Sequence, residues 1–554
     1  MSAATASARR SVWTPFSRSA AFRALYLASA ISWVGSFSLD VASAWQMTSL
    51  APSPMMVSLL QTAANFPFFL LALPSGALSD IVDRRLIMFV AYSWCMLVCI
   101  GLGALTLCGA MTPWLLLTLI FLLGVGFSMS GPAWNSLCPD LVPREEVESA
   151  VALVSAGYNM MRGVGAALGG VLVACVGSSN VFFLCALSLV ALNVVLTKLK
   201  PPQALRTSPP ERVVGAMKAG MRYLKHSKPL HCVLARTAIF VGFSSCLWAL
   251  IPLLSRQQLH LSSQQYGLLI SLFGFGNVIG ATAVPHLRRK LSQDLVLGLG
   301  SALMASCLAT LAFAHDFSIA AVAMLGGGMG WVTSCNALNT SLLSAAPAWV
   351  RARMLSIYFL VFNGCVAAGA ILWGAVAQGS SMPVAFQFAS GGLILSLLGI
   401  AVFPLKAAEQ ADVSAAEREL PPELPFEPHP DHGPVVISVE YLIDTERREE
   451  FNGAIAALEV KRRRDGAFEW HLYSDLARPG HYIEMYKIET WGEYLRLLER
   501  SVAPDSVIER RVYDMHIGAA SPKVSHLLAE RRRSQMAKTK QYAKFFDVKR
   551  GGPQ

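Results

Sequence analysis

Charge is what this chain has least of. Only 15% of its 554 residues are Asp, Glu, Lys or Arg, against about 25% in an ordinary soluble protein. The shortage is uneven. Residues 24–405 are nearly bare and residues 406–554 are charge-rich. That distribution excludes a single soluble globule and predicts a membrane domain followed by a soluble one. Cysteine is missing from the soluble part altogether. All eleven cysteines lie between Cys95 and Cys365, in apolar runs or at their edges. Cys95 and Cys99 have neither a thioredoxin-like nor a zinc spacing, so they read as small packing residues and imply neither a disulfide framework nor a metal. The soluble part has no Walker A sequence, which disfavours direct coupling to ATP. Gly274–Gly280 imitates a dinucleotide loop, but it lies inside an apolar helix instead of after a strand. The run therefore reads as close helix packing, and no cofactor is expected. The formal net charge is +11, yet no basic face is interleaved with aromatics, so nucleic acid is not an expected partner.

What is present is a series of long apolar runs. About twenty apolar residues span a bilayer as a helix. Twelve candidates fit, at 23–50, 55–79, 86–108, 113–138, 147–176, 180–198, 231–255, 264–286, 293–314, 317–346, 353–378 and 383–405. The connections alternate. Ala51–Pro54, Gly109–Pro113, Gly177–Asn180 and Gly379–Pro383 carry no charge, and the other two loops on that side carry only Arg256 and His260, then His315 and Asp316, while Arg84 and Arg85, Arg144, the 199–230 loop, Arg288 to Lys290, and Arg351 with Arg353 fall on the other side. Bare and basic loops in alternation form the positive-inside pattern, which predicts that both termini are cytoplasmic. The first run is too long for a signal-peptide core.

The expected organisation is a basic arm over 1–22, a six-helix half over 23–198, a linker over 199–230, a second six-helix half over 231–405, a Pro-rich linker over 406–432, a soluble domain over 433–530 and a basic tail over 531–554. Within the central linker, Glu211–Lys228 has apolar and basic faces that suit a helix lying on the inner leaflet. The halves look repeated. Arg84 and Arg85 have counterparts 204 residues later in Arg288 and Arg289, although Val284 stands where Asp80 would be. Two repeated six-helix halves are a transporter layout. The soluble domain reads strand 435–442, helix 445–464, strands 468–474 and 481–488, helices 491–500 and 505–517, and strand 523–528. That order is ferredoxin-like α+β. The tail, with eight basic residues and one acidic, is expected to be disordered and suits anionic lipid.

Specific stretches carry a family resemblance. Gly76-Ala77-Leu78-Ser79-Asp80-Ile81-Val82-Asp83-Arg84-Arg85 resembles the loop signature between helices two and three of the major facilitator superfamily. It departs where Ile81 replaces a basic residue and Asp83 a glycine. Ser32-Trp33-Val34-Gly35 with Asp40 and Trp45, Leu73-Pro74-Ser75, Gly131-Pro132-Ala133-Trp134 and Leu141-Val142-Pro143-Arg144-Glu145 are together similar to the transmembrane secretion effector family. The soluble domain resembles the dimeric α+β barrels of antibiotic-biosynthesis monooxygenases. In helix five, Ala166 stands where proton-coupled exporters often have proline. The resemblance implies a bacterial inner-membrane protein that crosses the bilayer repeatedly. It implies secondary, proton-driven export of small amphiphilic molecules (drug, siderophore or secondary metabolite) by alternating access, with a homodimer contact through the C-terminal domain. Import by the same fold stays open. So does a soluble module that acts as a catalyst or ligand sensor, although no enzyme is expected.

Candidate residues follow. Asp40 and Arg162 each lie deep in an apolar helix, about 20–25 Å from the inner face at about 1.5 Å per residue. An unpaired charge there costs at least about 2.5–3.5 kcal/mol, so a mutual pair or a water-filled cavity is expected, with Asp40 carrying the coupling proton and Arg162 tuning it; a static structural pair is the alternative. Gly76, Asp80, Arg84, Arg85, Asp140, Arg351 and Arg353 are the expected cytoplasmic gate. Asp80 would cap the helix that starts near Arg351 and Arg353, and Arg84 would pair with Asp140; plain topology signalling is the alternative. Trp45, Gln46, Asn135, Tyr158, Asn159, Asn277, Asn336 and Asn363 are candidates for the substrate cavity, or are interhelical glue. In the soluble domain, His471, Tyr473, His481, Tyr482, Trp491 and His516 show no metal spacing and no nucleophile-base pair.

Overall fold

A computed structural model describes residues 14–199, 220–347, 349–405, 428–499 and 503–529. The ends of the chain, most of both linkers and the basic tail lie outside the described residues, and so do the expectations placed on them. The chain divides into two compact units. The first comprises 1–210, 229–345 and 352–411. The second comprises 412–554 together with 211–228 and 346–351.

The first unit is helical. After a short α1 (Thr14–Arg18) come α2 (Ala20–Leu50), α3 (Pro54–Ile81), α4 (Arg84–Leu107), α5 (Pro113–Asp140) and α6 (Val147–Lys198). The second series is α7 (Lys228–Gln257), α8 (Ser263–Arg288), α9 (Gln293–Phe313), α10 (Phe317–Ala345), α11 (Arg351–Gly379), α12 (Met382–Ser396) and α13 (Gly399–Val402). Among the described residues, ten helices are long and apolar enough to cross a membrane. One of them crosses twice. The 52 residues of α6 would reach about 78 Å at 1.5 Å per residue, far beyond a core of about 30 Å. Gly177, with φ 81° and ψ 161°, folds α6 into two spans; this backbone region is open almost solely to glycine. The expected four-residue loop at Gly177–Asn180 is thus a single-residue kink. The twelfth run is also shorter than expected as a helix, because α12 ends at Ser396 and two residues separate it from α13.

Most helices run one to three residues past their apolar stretches. Hydropathy marks the membrane core, whereas a helix continues until its end amides are capped. Ser53, Ser262 and Ser292 accept hydrogen bonds from the first turns of α3, α8 and α9. Pro67 and Pro74 lie inside α3 and Pro252 inside α7; membrane helices tolerate such residues because neighbours re-satisfy the freed carbonyls.

Within the first series α2 packs on α6, and α4 packs on α5 and α6; in the second, α10 packs on α8 and α9. The two series meet where the first span of α6 packs on α8. Glycine makes that approach possible. A Cβ on Gly274 would stand 2.9 Å from the Cα of Gly163, and one on Gly267 would stand 2.7 Å from the Cα of Gly170. Backbones touch there without intervening side chains.

The second unit contains one four-stranded antiparallel sheet of β1 (Val435–Leu442), β2 (Glu469–Ser474), β3 (His481–Ile488) and β4 (Lys523–Leu528), in the order β2-β3-β1-β4. Helices α14 (Arg448–Asp465), α15 (Trp491–Glu499) and α16 (Ala503–Tyr513) complete it. The chain order β-α-β-β-α-β holds, with the second helical stretch split in two, so the domain is ferredoxin-like. Ile437, Val439 and Tyr441 of β1 pack with Phe451, Ile455 and Leu458 of α14 in one core. Alternation puts Val436, Tyr473, Ile483, Met485 and Leu527 on the other face.

Candidate functional site

Asp40 stands in the middle of α2 and remains solvent-accessible, and Arg162 in the first span of α6 is half-buried. The two lie within electrostatic range of each other, but no ion pair within 4 Å joins them among the described residues. Instead the guanidinium lies 5.9 Å from the ring centre of Phe37 on α2 and 4.8 Å from that of Trp248 on α7. Arg162 thereby touches both helix series. Cation–π contacts of this kind offset part of the cost of an intramembrane cation.

Aromatic rings surround this pair. Tyr158 meets Trp33 at 5.5 Å and Phe37 at 5.3 Å, and Trp33 meets Trp134 at 5.9 Å. From the second series, Trp248 meets Phe273 at 4.8 Å and Trp331 at 6.1 Å, and Trp331 meets Phe362 at 5.9 Å. Trp45 stacks on Tyr266 across the two series at 5.8 Å. Tyr158 and Tyr266 both lie within electrostatic range of Asp40. Sequence reasoning named Trp45 and Tyr158 but not Phe37, Trp248, Tyr266 or Phe273. An aromatic residue in an apolar helix carries no mark that separates a site wall from a packing residue.

The amides fall differently. Asn159, Asn336 and Asn363 each donate from Nδ2 to the carbonyl four residues back, at 2.9, 3.0 and 2.7 Å. Such back-bonding uses half of each donor group on its own helix. Asn277 is 2% exposed and is packed against α10, so it does not line an open cavity. Gln46 is half-buried and Asn135 exposed.

At the start of α4, Arg84 Nη1 meets Asp140 Oδ2 at 2.5 Å at the end of α5. Asp83 caps α4 by accepting from the Arg85 amide at 2.9 Å, and the Arg85 side chain pairs with it at 2.9 Å. These hydrogen bonds hold the Asp83 carboxyl below the usual carboxylate range. Arg85 Nη1 also donates to the Leu199 carbonyl just past α6. Both arginines therefore brace the first series internally. The Gly76 backbone lies in α3 with open space beside it, and the side chain of Asp80 lies outside the described residues. Arg351 and Arg353 open α11.

At the far ends of α2 and α7 the two series are joined. Arg256 Nη1 donates to Thr48 Oγ1 at 3.1 Å and to Ser49 Oγ, and its guanidinium lies 5.2 Å from the Trp45 ring centre. Gln257 Nε2 donates to the Pro52 carbonyl at 3.1 Å. Nearer the middle, Thr62 Oγ1 on α3 donates to the Ala367 carbonyl on α11 at 2.9 Å.

In the second unit, Glu484 is fully buried and accepts from Tyr441 Oη at 2.9 Å, Trp470 Nε1 at 2.9 Å and Arg462 Nε at 3.4 Å. Arg462 Nη1 and Lys461 Nζ both reach Glu509 Oε1 at 2.6 Å. The sequence reading missed this network because charge on an amphipathic helix normally faces solvent. The aromatics and histidines named from the sequence are dispersed: Tyr482 and Trp491 are in the core, while His471 and Tyr473 are on the exposed strand β2. Among the described residues, no group of three or more His, Cys, Asp or Glu could hold a metal.

Comparison with known proteins agrees with this architecture. The enterobactin exporter of Salmonella typhi is 30% identical over 389 residues, spanning 68% of this chain and 90% of the relative. That of Citrobacter koseri is 28% identical over 400 residues, spanning 68% and 91%. Among solved structures, a POT family transporter in complex with 5-aminolevulinic acid has a TM-score of 0.58 at 13% identity, covering 71% of this chain and 97% of that one. A bacterial homologue of the iron transporter ferroportin, in its inward-facing state, has a TM-score of 0.54 at 16% identity, covering 70% and 99%. The family described as transmembrane secretion effector matches residues 10–534, and the chain belongs to that family of major facilitator transporters.

Proposed function

We propose that the protein exports small amphiphilic, aromatic-bearing molecules through the space around Asp40 and Arg162, driven by protons. The observation that carries this reading is the setting of Arg162, a cation at membrane depth stacked on Phe37 of one helix series and Trp248 of the other. A planar aromatic substrate can replace either ring as the cation's partner. A ligand that does so loosens one series from the other, which is the differential binding that a change of state requires. Asp40, accessible and beside this cation, is the proton carrier. Its protonation removes the charge that attracts Arg162, so the state of Asp40 sets how firmly the guanidinium is held. The enterobactin exporters support a siderophore-sized substrate, and export over import.

The multi-pass chain would lie in the bacterial inner membrane with both termini in the cytoplasm, as the alternation of bare and basic loops indicates. Arg256 with Thr48, Ser49 and Trp45 would then close the outer mouth. Asp80, Arg351 and Arg353 would form the cross-series part of the inner gate, and the Arg84–Asp140 pair its fixed anchor. The C-terminal domain would pair with that of a second copy through the face bearing Val436, Ile483, Met485 and Leu527. The buried charge network of Arg462, Glu484 and Glu509 in its core favours a structural or sensing role for this domain over catalysis. Substrate-driven proton movement in inverted vesicles, across aromatic siderophores and dyes and with an uncoupler, tests the transport reading. Transport that persists in Asp40→Asn without any proton flux is expected; unchanged proton-coupled transport would sink it.

A further inference from the structure

The connections before α7 and between α10 and α11 belong to the same compact unit as the C-terminal domain. Residues 220–225 form a helical turn that ends three residues before α7. Arg222 Nη2 meets Glu493 Oε1 of α15 at 3.3 Å, with the two side chains only 23% and 12% exposed. Glu493 is shared, since its Oε2 accepts from Arg496 Nε at 3.1 Å. The next residue, Tyr223, is 6% exposed. Its ring lies 5.5 Å from the guanidinium of Arg464 at the end of α14 and packs edge-on against Trp349 at 5.6 Å. Arg464 is steadied by Asp465 at 2.9 Å. Gly466, with φ 150°, turns the chain out of α14, and a Cβ there would stand 3.4 Å from Arg222 Nη2. One charge pair, one cation–π contact and one ring contact thus converge on two adjacent residues.

We propose that the C-terminal domain is a brace on these two connections. Glu493 and Arg464 grip Arg222 and Tyr223, and Tyr223 passes the grip to Trp349. The partner of this surface is a segment of the same chain. Lys228 begins α7 and Arg351 begins α11, so the starts of two helices of the second series are leashed to one soluble domain. A conformational cycle that separates those starts has to break or carry these contacts, which gives the domain control of the rate without any place in the substrate path. The transport arm of the test rests on the function proposed above; the exchange arm does not.

The experiment uses the full-length protein in lipid vesicles and reads hydrogen exchange by mass spectrometry beside efflux. Arg222→Gln and Tyr223→Ala leave the C-terminal domain's own residues untouched. Removing one partner of a mostly buried pair is expected to raise exchange of residues 220–228 and 491–496 by about tenfold. Tyr223→Ala is expected to raise it at 346–351 as well, and both variants to change the efflux rate. Wild-type exchange in Arg222→Gln would overturn the brace. Loosened connections with an unaltered efflux rate would overturn its control of transport.

Discussion

Arg162 illustrates how a single side chain can be held in a membrane by stacking. Its planar guanidinium lies against two rings, and lysine cannot reproduce that geometry. Arg162→Lys is therefore expected to keep the charge near Asp40 yet weaken transport of aromatic substrates at least about tenfold, as loss of a desolvated cation–π contact implies. A comparison of transport by Arg162→Lys and Arg162→Gln checks this: equal activity of Arg162→Lys and wild type would show that charge alone matters. The sequence singles out Asp40 and Arg162 because each is a charge deep inside an apolar run. It does not show the partners of Arg162, because Phe37 and Trp248 look like any other apolar helix residues until the helices are assembled. Glu484 offers a parallel case in the soluble domain. Its removal by Glu484→Ala leaves Arg462 with a buried, partly uncompensated charge, and is expected to destabilise the domain by about 3–5 kcal/mol. Pulse proteolysis of the region after residue 433 measures it. Asp83 is the site with a pH sign. Its carboxyl is held below the usual range by Arg85, so its contribution is present above the ordinary carboxylate pKa and is lost as pH falls through the lower, folded value. Asp83→Ala is expected to remove that contribution at neutral pH, and amide exchange over the first turn of α4 reads it.

At the scale of elements, the spans were visible from hydropathy and charge, and the ferredoxin-like order from alternation. Alternation succeeds in the soluble domain because one sheet face is buried, as Ile437, Val439 and Tyr441 show. Element ends and junctions were less visible. A serine cap extends a helix beyond its apolar run, and one glycine at positive φ makes a junction where composition suggests a loop. The helix contact between α6 and α8 is the element-level feature most open to test. Gly267→Val places bulk where a Cβ alone would stand 2.7 Å from the Cα of Gly170. The variant is expected to insert in the membrane and abolish transport, whereas Gly379→Val, with nothing within 4 Å of its Cβ, is expected to be tolerated. Vesicle transport normalised to the amount inserted distinguishes them, and an active Gly267→Val would show that α6 and α8 need no close approach.

For the whole molecule, the sequence separates membrane domain from soluble domain at the shift in charge near residue 406. It does not show that two short connections of the membrane part group with the soluble one, because that grouping depends on contacts between residues hundreds of positions apart, such as Arg222 and Glu493. Among the described residues the soluble domain has its own core, so a chain cut near Pro421 is expected to insert normally. The fold at Gly177 has a mechanical consequence for everything upstream of it. A junction of one residue has no slack, so the two spans of α6 behave as a bent lever instead of two rods on a string. The arm before the bend carries Arg162 and lies against α8; the arm after it lies against α4. If the cation exchanges partners as proposed, a small rocking of the first arm would be magnified along the second, and a long, supple loop at the same place would absorb it.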